Sequence, residues 1–100
     1  LDEAAWRRFD DAVSFTIPDG PMREAILRSI ARTLSIIPDI SILAARTEGF
    51  TGADLRLMVK EAVMAALLEG RDEISEVDIE QGMLLVDRRN ALRQTGWIGA

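Results

Sequence analysis

The chain has 100 residues, of which 48% are hydrophobic and 29% are charged, a composition typical of one globular domain rather than a disordered segment. Its formal net charge is −5 and it has no histidine. Domains that bind nucleic-acid phosphates normally carry a basic surplus, so no nucleic-acid partner is expected. The chain has no cysteine, which excludes disulfides and thiolate metal sites and fits a reducing, cytoplasmic compartment. No apolar run approaches about 18 residues, so no membrane partner is expected.

One β-strand is predicted near the start of the chain. Residues 12–17 alternate between apolar and polar side chains, and Pro18 ends the pattern because proline donates no hydrogen bond to a sheet. One strand cannot form a sheet. Either the strand packs alone on helices, or its partner strands belong to a longer protein of which this chain is a fragment. The second explanation is the more economical. A strand without its sheet has unpaired edges, so we expect the isolated chain to self-associate through residues 12–17.

Helical patterns occupy the rest of the sequence, beginning after residue 19. Pro21 suits the first turn of a helix. Met22, Ile26 and Ile30 recur at helical spacing and are expected to face the core, whereas Arg23 is expected to face solvent.

The stretch SIIPD, residues 35–39, breaks this first helix. Either Asp39 or Ser41 then caps a short second helix. Gly49 follows as a residue that can end the second helix with a positive φ.

Two capping patterns predict where the third and fourth helices begin. Thr51 precedes Asp54 by three residues, and Ser75 precedes Asp78 by the same spacing. In the fourth helix Gly82 lies among the apolar positions, which predicts a close approach of another helix.

The sequence contains no complete catalytic motif. It has no phosphate-binding loop of the form GxxxxGK[ST], no GxSxG and no HExxH. It also has no histidine to act as a base. We therefore expect no enzymatic activity from this chain alone and no metal site.

Adjacent arginines, Arg7 and Arg8, occur in the stretch WRRFDD just before the predicted strand. A surface pair forming salt bridges with nearby carboxylates would explain them. So would a pair of cations directed at an anion outside the chain.

An ordered set of motifs spans nearly the whole chain: LDEAAWRRFD, IPD, REAILRSIA, TEGFTGADLRLMVKEAVMAAL and SEVDIEQGM. In this order they resemble the C-terminal part of an AAA ATPase module of the katanin/spastin/Cdc48-like subgroup. The resemblance implies an all-α, four-helix AAA+ lid-type bundle preceded by one orphan β-strand from the large α/β domain. Residues 1–19 would end that large domain, residues 20–94 would form the helical lid, and residues 95–100 would be a tail of unknown role that contains Trp97.

The resemblance also implies site residues. Arg7 and Arg8 would be arginine fingers, which reach in trans to the γ-phosphate of ATP in a neighbouring subunit; which of the two does more is left open. Arginine suits this role because its planar guanidinium is always charged and donates bidentately.

The family's lid places further residues beside the nucleotide. Gly52 and Ala53 stand where other AAA+ proteins have the sensor 2 arginine, at a helix N-terminus that favours anions. Ile26 and Ile30 would lie against the adenine, although their spacing fits plain core residues equally well. ATP would be the cofactor, with Mg²⁺ bound by the large domain.

By this resemblance, the parent protein is an ATPase that forms a ring, usually of six subunits, and remodels or unfolds an unknown protein substrate. A protease domain after the lid is expected less, because the chain ends soon after it. The alternative is a stand-alone helical protein-interaction module without nucleotide chemistry. A helix-turn-helix DNA-binding domain fits poorly, because its candidate recognition helix is apolar and the net charge is negative.

Overall fold

The computed structural model describes residues 17–94, which form a bundle of four α-helices. Within this range there is no β-strand, only one isolated parallel bridge between Ile36 and Ile74. The all-α prediction is therefore confirmed for the described residues. The predicted strand lies outside them except for Ile17, which is not in a strand. The helices are α1 (Gly20–Ile30, followed by a 3₁₀ turn at Ala31–Thr33), α2 (Ile40–Arg46), α3 (Gly52–Leu68) and α4 (Glu76–Gln94).

Helix α1 differs from the prediction in which side of it is buried. Met22 is 41% exposed, whereas Arg23 is only 7% exposed and Leu27 is buried. Burial of the Arg23 guanidinium is compensated because it donates hydrogen bonds to two backbone carbonyls, those of Ala44 and Pro18. The prediction that Arg23 faces solvent was therefore wrong. A hydrophobicity pattern cannot reveal carbonyl groups that only the folded chain brings together.

An extended segment connects α1 to α2 and is held by the turn between α3 and α4. The amide of Ile74 donates to the carbonyl of Ser35 at 2.8 Å, and the amide of Ile37 donates to the carbonyl of Ile74 at 2.9 Å. Asp39 is the residue that caps α2, since its Oδ1 accepts from the amide of Ser41 at 2.8 Å.

The predicted capping box at the start of α3 is confirmed. The amide of Asp54 donates to Thr51 Oγ1, and the amide of Thr51 donates to Asp54 Oδ2, both at 3.1 Å. The two hydrogen bonds satisfy backbone donors that a helix start leaves without partners. Beyond the end of α3, Gly70 takes a positive φ of 70°.

The close approach predicted at Gly82 is also confirmed. A Cβ added to Gly82 would overlap the carbonyl oxygen of Met58 and lie 3.0 Å from its carbonyl carbon. Glycine thus lets α4 pack directly on the backbone of α3. The surrounding core consists of Ile26, Leu27, Leu43, Ala44, Phe50, Leu55, Met58, Val59, Ala62, Ala66, Ile74, Ile79 and Val86.

A buried carboxylate holds the turn between α3 and α4. Asp78 is 2% exposed and forms a bidentate pair with Arg71, with Nη1–Oδ2 and Nη2–Oδ1 distances of 2.7 and 2.8 Å. Asp78 Oδ2 also accepts from the amide of Ser75 at 2.8 Å, which confirms the second predicted capping pair. The hydrogen bonds from Arg71, and then those from Ser75, hold the pKa of Asp78 well below its usual range.

This pKa shift predicts an acid-sensitive fold. Because folding lowers the pKa of Asp78, the stability it contributes is fully present above the unfolded pKa, about 3.9, and is lost as the pH falls from there toward the folded pKa. We expect the Tm of the chain to drop steeply below about pH 4. The variant Asp78→Asn should have a lower Tm at pH 7 and a shallower drop in acid, measured by circular dichroism between pH 7 and pH 2.

Glu24→Gln is the matched control, because it removes a carboxylate from an arginine pair on the exposed surface of α1, where Arg28 Nη2 lies 3.1 Å from Glu24 Oε2. Exposed pairs contribute little, so the Tm should barely change. Part of the acid drop should remain in Asp78→Asn, because hydrogen bonds from Ser41 also lower the pKa of Asp39. If the Tm of Asp78→Asn fell with pH as steeply as that of the unchanged chain, Asp78 would not be a source of the acid sensitivity.

Candidate functional site

An open cleft of about 640 Å³ lies between the end of α1 and the first two thirds of α3. Its volume is in the range of small-molecule sites, and such sites are mostly apolar with a few polar groups. The α1 side contributes Ile30, with Leu34 beyond it. The α3 side contributes the apolar residues Ala53, Leu57, Val59, Val63 and Met64.

The structure brings two of the predicted nucleotide-contacting residues into this cleft and leaves two outside its lining. Ile30 and Ala53 both line it. Ile26 is 2% exposed and belongs to the core, and Gly52 is buried at the start of α3. Of the two readings of the isoleucines, core packing therefore describes Ile26, whereas Ile30 is only half-buried and reaches the cleft.

The other predicted site residues, Arg7 and Arg8, lie outside the described residues. Their assignment as arginine fingers stays a prediction.

Two basic side chains of the cleft were not singled out from the sequence. Arg56 and Lys60 line it on α3, and Ser29 adds a hydroxyl from α1. The signal was in the spacing, because positions 53, 56 and 60 are three and four residues apart and so share one face of a helix. An apolar stripe beside two cations suits a ligand that has a flat apolar part and an anionic part.

The start of α3 adds to this electrostatic environment. The positive end of the helix dipole lies beside Ala53, where a negative group is favoured. The capping box uses the amide of Asp54 internally, and Asp54 itself is buried, so its carboxylate points into the capping interaction. Asn90 of α4 lies 3.4 Å from Asp54 Oδ2 and links the fourth helix to this helix start.

The described residues were compared with the requirements of a metal site and of a membrane span. Within residues 17–94 no group of three histidine, cysteine, aspartate or glutamate side chains is placed to hold a metal ion. The described part of the chain also has no helix that is long and apolar enough to span a membrane. The cleft has the size and the mixed apolar and basic lining of a candidate ligand site.

The comparison with family models defines the class of this fold. Residues 38–81 match the model described as the AAA+ lid domain. That range runs from the residue before the α2 cap into α4, so it includes the start of α3 beside the cleft. The four described helices are therefore consistent with an all-α AAA+ lid bundle, as the sequence resemblance implied.

The chain is similar to several individual proteins named FtsH. The chain is 44% identical over 87 residues to the ATP-dependent zinc metalloprotease FtsH 3 of Sphaerobacter thermophilus, which covers 83% of this chain and 18% of that protein. It is 40% identical over 90 residues to FtsH 1 of Thermoanaerobacter sp., covering 86% and 15%. It is 45% identical over 87 residues to FtsH of Pseudothermotoga lettingae, covering 83% and 14%. The chain thus spans less than a fifth of the length of these relatives.

These relatives correct one part of the sequence interpretation. The katanin/spastin/Cdc48-like subgroup is not supported, because the relatives are FtsH proteins, a different subgroup of AAA ATPases. The stretch TEGFTGADL lies within residues 38–81, which match the general AAA+ lid model rather than a model of one subgroup.

Proposed function

We propose that the chain is the lid segment of an FtsH-like, ATP-dependent protease and that its cleft closes over ATP. The observation that carries the proposal is that Ile30 of α1 and Ala53 of α3, which are distant in sequence, line one cleft at the start of a helix. The identity with ATP-dependent zinc metalloproteases supports the same class of activity.

The residues of the cleft fit a nucleotide. Ile30 and Leu57 offer apolar surface to the base, and the short side chain of Ala53 leaves room at the helix start. Arg56 and Lys60 supply positive charge for phosphates. Bound ATP supplies the free energy of hydrolysis, whereas this chain binds and orients the nucleotide and excludes water from it.

The remaining parts of the reaction belong to segments outside the described residues. Arg7 and Arg8 serve as arginine fingers for ATP held by a neighbouring subunit, which requires a closed ring with head-to-tail interfaces, six subunits in this proposal. Mg²⁺ is held by the large domain. The ring acts on a protein substrate of unknown identity in a cytoplasmic location.

The proposal replaces the weaker expectation, drawn from the sequence, of a parent without a protease domain after the lid. The relatives are zinc metalloproteases by name, and an FtsH-like parent carries such a domain. Its zinc is not assigned to this lid, since no cluster in residues 17–94 fits a metal ion.

A chimera tests the proposed function. Residues 1–94 replace the corresponding segment of FtsH 3 from Sphaerobacter thermophilus, and ATP hydrolysis and ATP-dependent proteolysis are measured. We expect both activities to survive. A folded, assembled chimera without ATPase activity would count against the proposal and favour the alternative of a helical interaction module.

Ala53→Glu in this chimera tests the nucleotide position. A carboxylate in the first turn of α3 is favourable for the helix, so the fold should remain intact. In the cleft it would repel phosphates and fill the space beside them. We expect the KM for ATP to rise at least tenfold, about 1.4 kcal/mol of lost binding, in steady-state ATPase assays.

Ala25→Glu is the matched control, because Ala25 is exposed on α1 and does not line the cleft. It introduces the same charge and should leave the KM unchanged. If both variants raised the KM equally, the effect would come from net charge rather than from the cleft.

A further inference from the structure

Arg23 is a buried cation on α1 that does not line the cleft. Its side chain is buried, and none of the described residues forms a salt bridge with it. A buried cation normally needs hydrogen-bonded partners to offset its desolvation. Here the partners are backbone carbonyls, with Nε–O of Ala44 at 2.9 Å and Nη1–O of Pro18 at 3.0 Å.

The two carbonyls belong to different parts of the chain. That of Ala44 lies in the last turn of α2, where helix carbonyls lack intrahelical partners and a cation is favourable. That of Pro18 lies before α1, outside every helix of the structure. One guanidinium therefore ties the segment that enters the bundle to the end of its second helix.

The backbone around Pro18 has little freedom left once this carbonyl is held. The proline ring fixes its own φ near −65°, and the ring is buried. On the other side, Asp19 is locked as the α1 N-cap, with its Oδ1 accepting from the amide of Met22 at 2.9 Å. By contrast, the side chain of Ile17 is 70% exposed.

We propose that Arg23 is a positioning residue that makes Pro18 the first residue of the rigid lid and places the joint with the preceding chain at Ile17. This moves the boundary from the predicted residues 19 and 20 toward the N-terminus. The inference goes beyond the proposed function and does not depend on nucleotide binding. If the proposed function holds, the joint separates the lid from the preceding part of the chain, whose sequence includes Arg7 and Arg8.

Backbone dynamics of the 100-residue chain test the proposal. The Asp19 N–H bond lies in the same peptide plane as the Pro18 carbonyl, so its ¹⁵N order parameter reports whether that plane is fixed. In the unchanged chain we expect a value of about 0.85, equal to that of α1, and a lower value at Ile17. In Arg23→Met the value at Asp19 should fall below that of α1, because the Pro18 carbonyl is released while the N-cap still holds Asp19, and α1 itself should stay rigid.

Two further variants separate positioning from general loss of stability. Arg23→Lys keeps the charge but cannot bridge two carbonyls in the fixed fork of a guanidinium, so it should fail to restore the Asp19 value. Gly82→Ala, which disturbs the distant contact between α3 and α4, should lower the Tm without changing the order parameter at Asp19. An Asp19 N–H as mobile as that of Ile17 in the unchanged chain, or one still rigid in Arg23→Met, would overturn the proposal.

In the chimera a second readout distinguishes this inference from the proposed function. We expect Arg23→Met to lower kcat for ATP hydrolysis several-fold with an unchanged KM, because the cleft is intact while the arginine-bearing segment is misplaced. A chimera that is inactive without any further substitution would contradict the proposed function but would not affect the conclusion drawn from the order parameters. If the chimera is active but Asp19 stays rigid in Arg23→Met, only the proposed role of Arg23 is contradicted.

Discussion

Replacing Arg7 and Arg8 together with alanine in the FtsH chimera should lower kcat for ATP hydrolysis by at least about 10³-fold, the contribution typical of an arginine finger. Phosphoryl transfer spreads negative charge over the transferring group, and a guanidinium supplied in trans stabilises that charge in the transition state. The affinity for ATP should change far less, because the fingers act mainly when the charge moves. Steady-state kinetics give kcat and KM separately, and size-exclusion chromatography confirms that the ring still assembles.

A second arginine pair in the chain provides the matched control. Arg88 and Arg89 are adjacent and exposed on α4, and their replacement by alanine removes the same charge. We expect the control variant to keep its ATPase rate. Action in trans is tested by mixing the Arg7, Arg8 variant with a chimera whose own phosphate-binding loop is disabled; mixed rings should regain activity. An unchanged kcat for ATP hydrolysis in the double variant would contradict the arginine-finger assignment and favour a pair of surface salt-bridging residues.

Gly82→Ala should destabilise the lid by about 1–3 kcal/mol, the usual cost of forcing extra atoms into a packed interface. The added Cβ meets the backbone carbonyl of Met58 rather than a flexible side chain, so α3 and α4 must move apart. Alanine is intrinsically better than glycine in a helix by up to about 1 kcal/mol, but that gain cannot offset a backbone overlap. For a domain of this size, the Tm should fall by roughly 4–8 °C for each kcal/mol.

Gly20→Ala is the control with identical chemistry. A Cβ at Gly20 would lie 3.7 Å from Arg23 Nη2, an ordinary contact, and Gly20 begins α1 without a positive φ. We expect an unchanged or slightly higher Tm, because alanine reduces the conformational freedom of the unfolded chain. Equal losses in both variants, measured by thermal and urea unfolding, would show that the contact with Met58 is not decisive.

Features set by neighbouring residues were predictable from the sequence. The capping pairs of Thr51 with Asp54 and of Ser75 with Asp78 depend on a three-residue spacing, and the structure has both. The close packing at Gly82 was predictable because a glycine that weakens a helix at an apolar position usually has a packing role there. The burial of Arg23 was not, since it depends on the carbonyls of residues 18 and 44, which a linear pattern does not bring together.

The candidate site divides in the same way. Ala53 could be placed at a helix start from the capping motif, but the family resemblance was needed to connect it with Ile30. Whether Ile26 or Ile30 reaches the cleft depends on how α1 rotates against its neighbours, and helical spacing alone does not give that rotation. The cations Arg56 and Lys60 share a helix face with Ala53, yet nothing in the sequence indicated that this face borders a cleft.

The bridge between Ile36 and Ile74 joins the two halves of the bundle. It fastens the connection between α1 and α2 to the turn between α3 and α4 through two backbone hydrogen bonds. The connection that follows α1 is thus hydrogen-bonded directly to the turn that precedes α4. The two pairs of helices are therefore joined by backbone hydrogen bonds as well as by packed side chains, and separating them would break both.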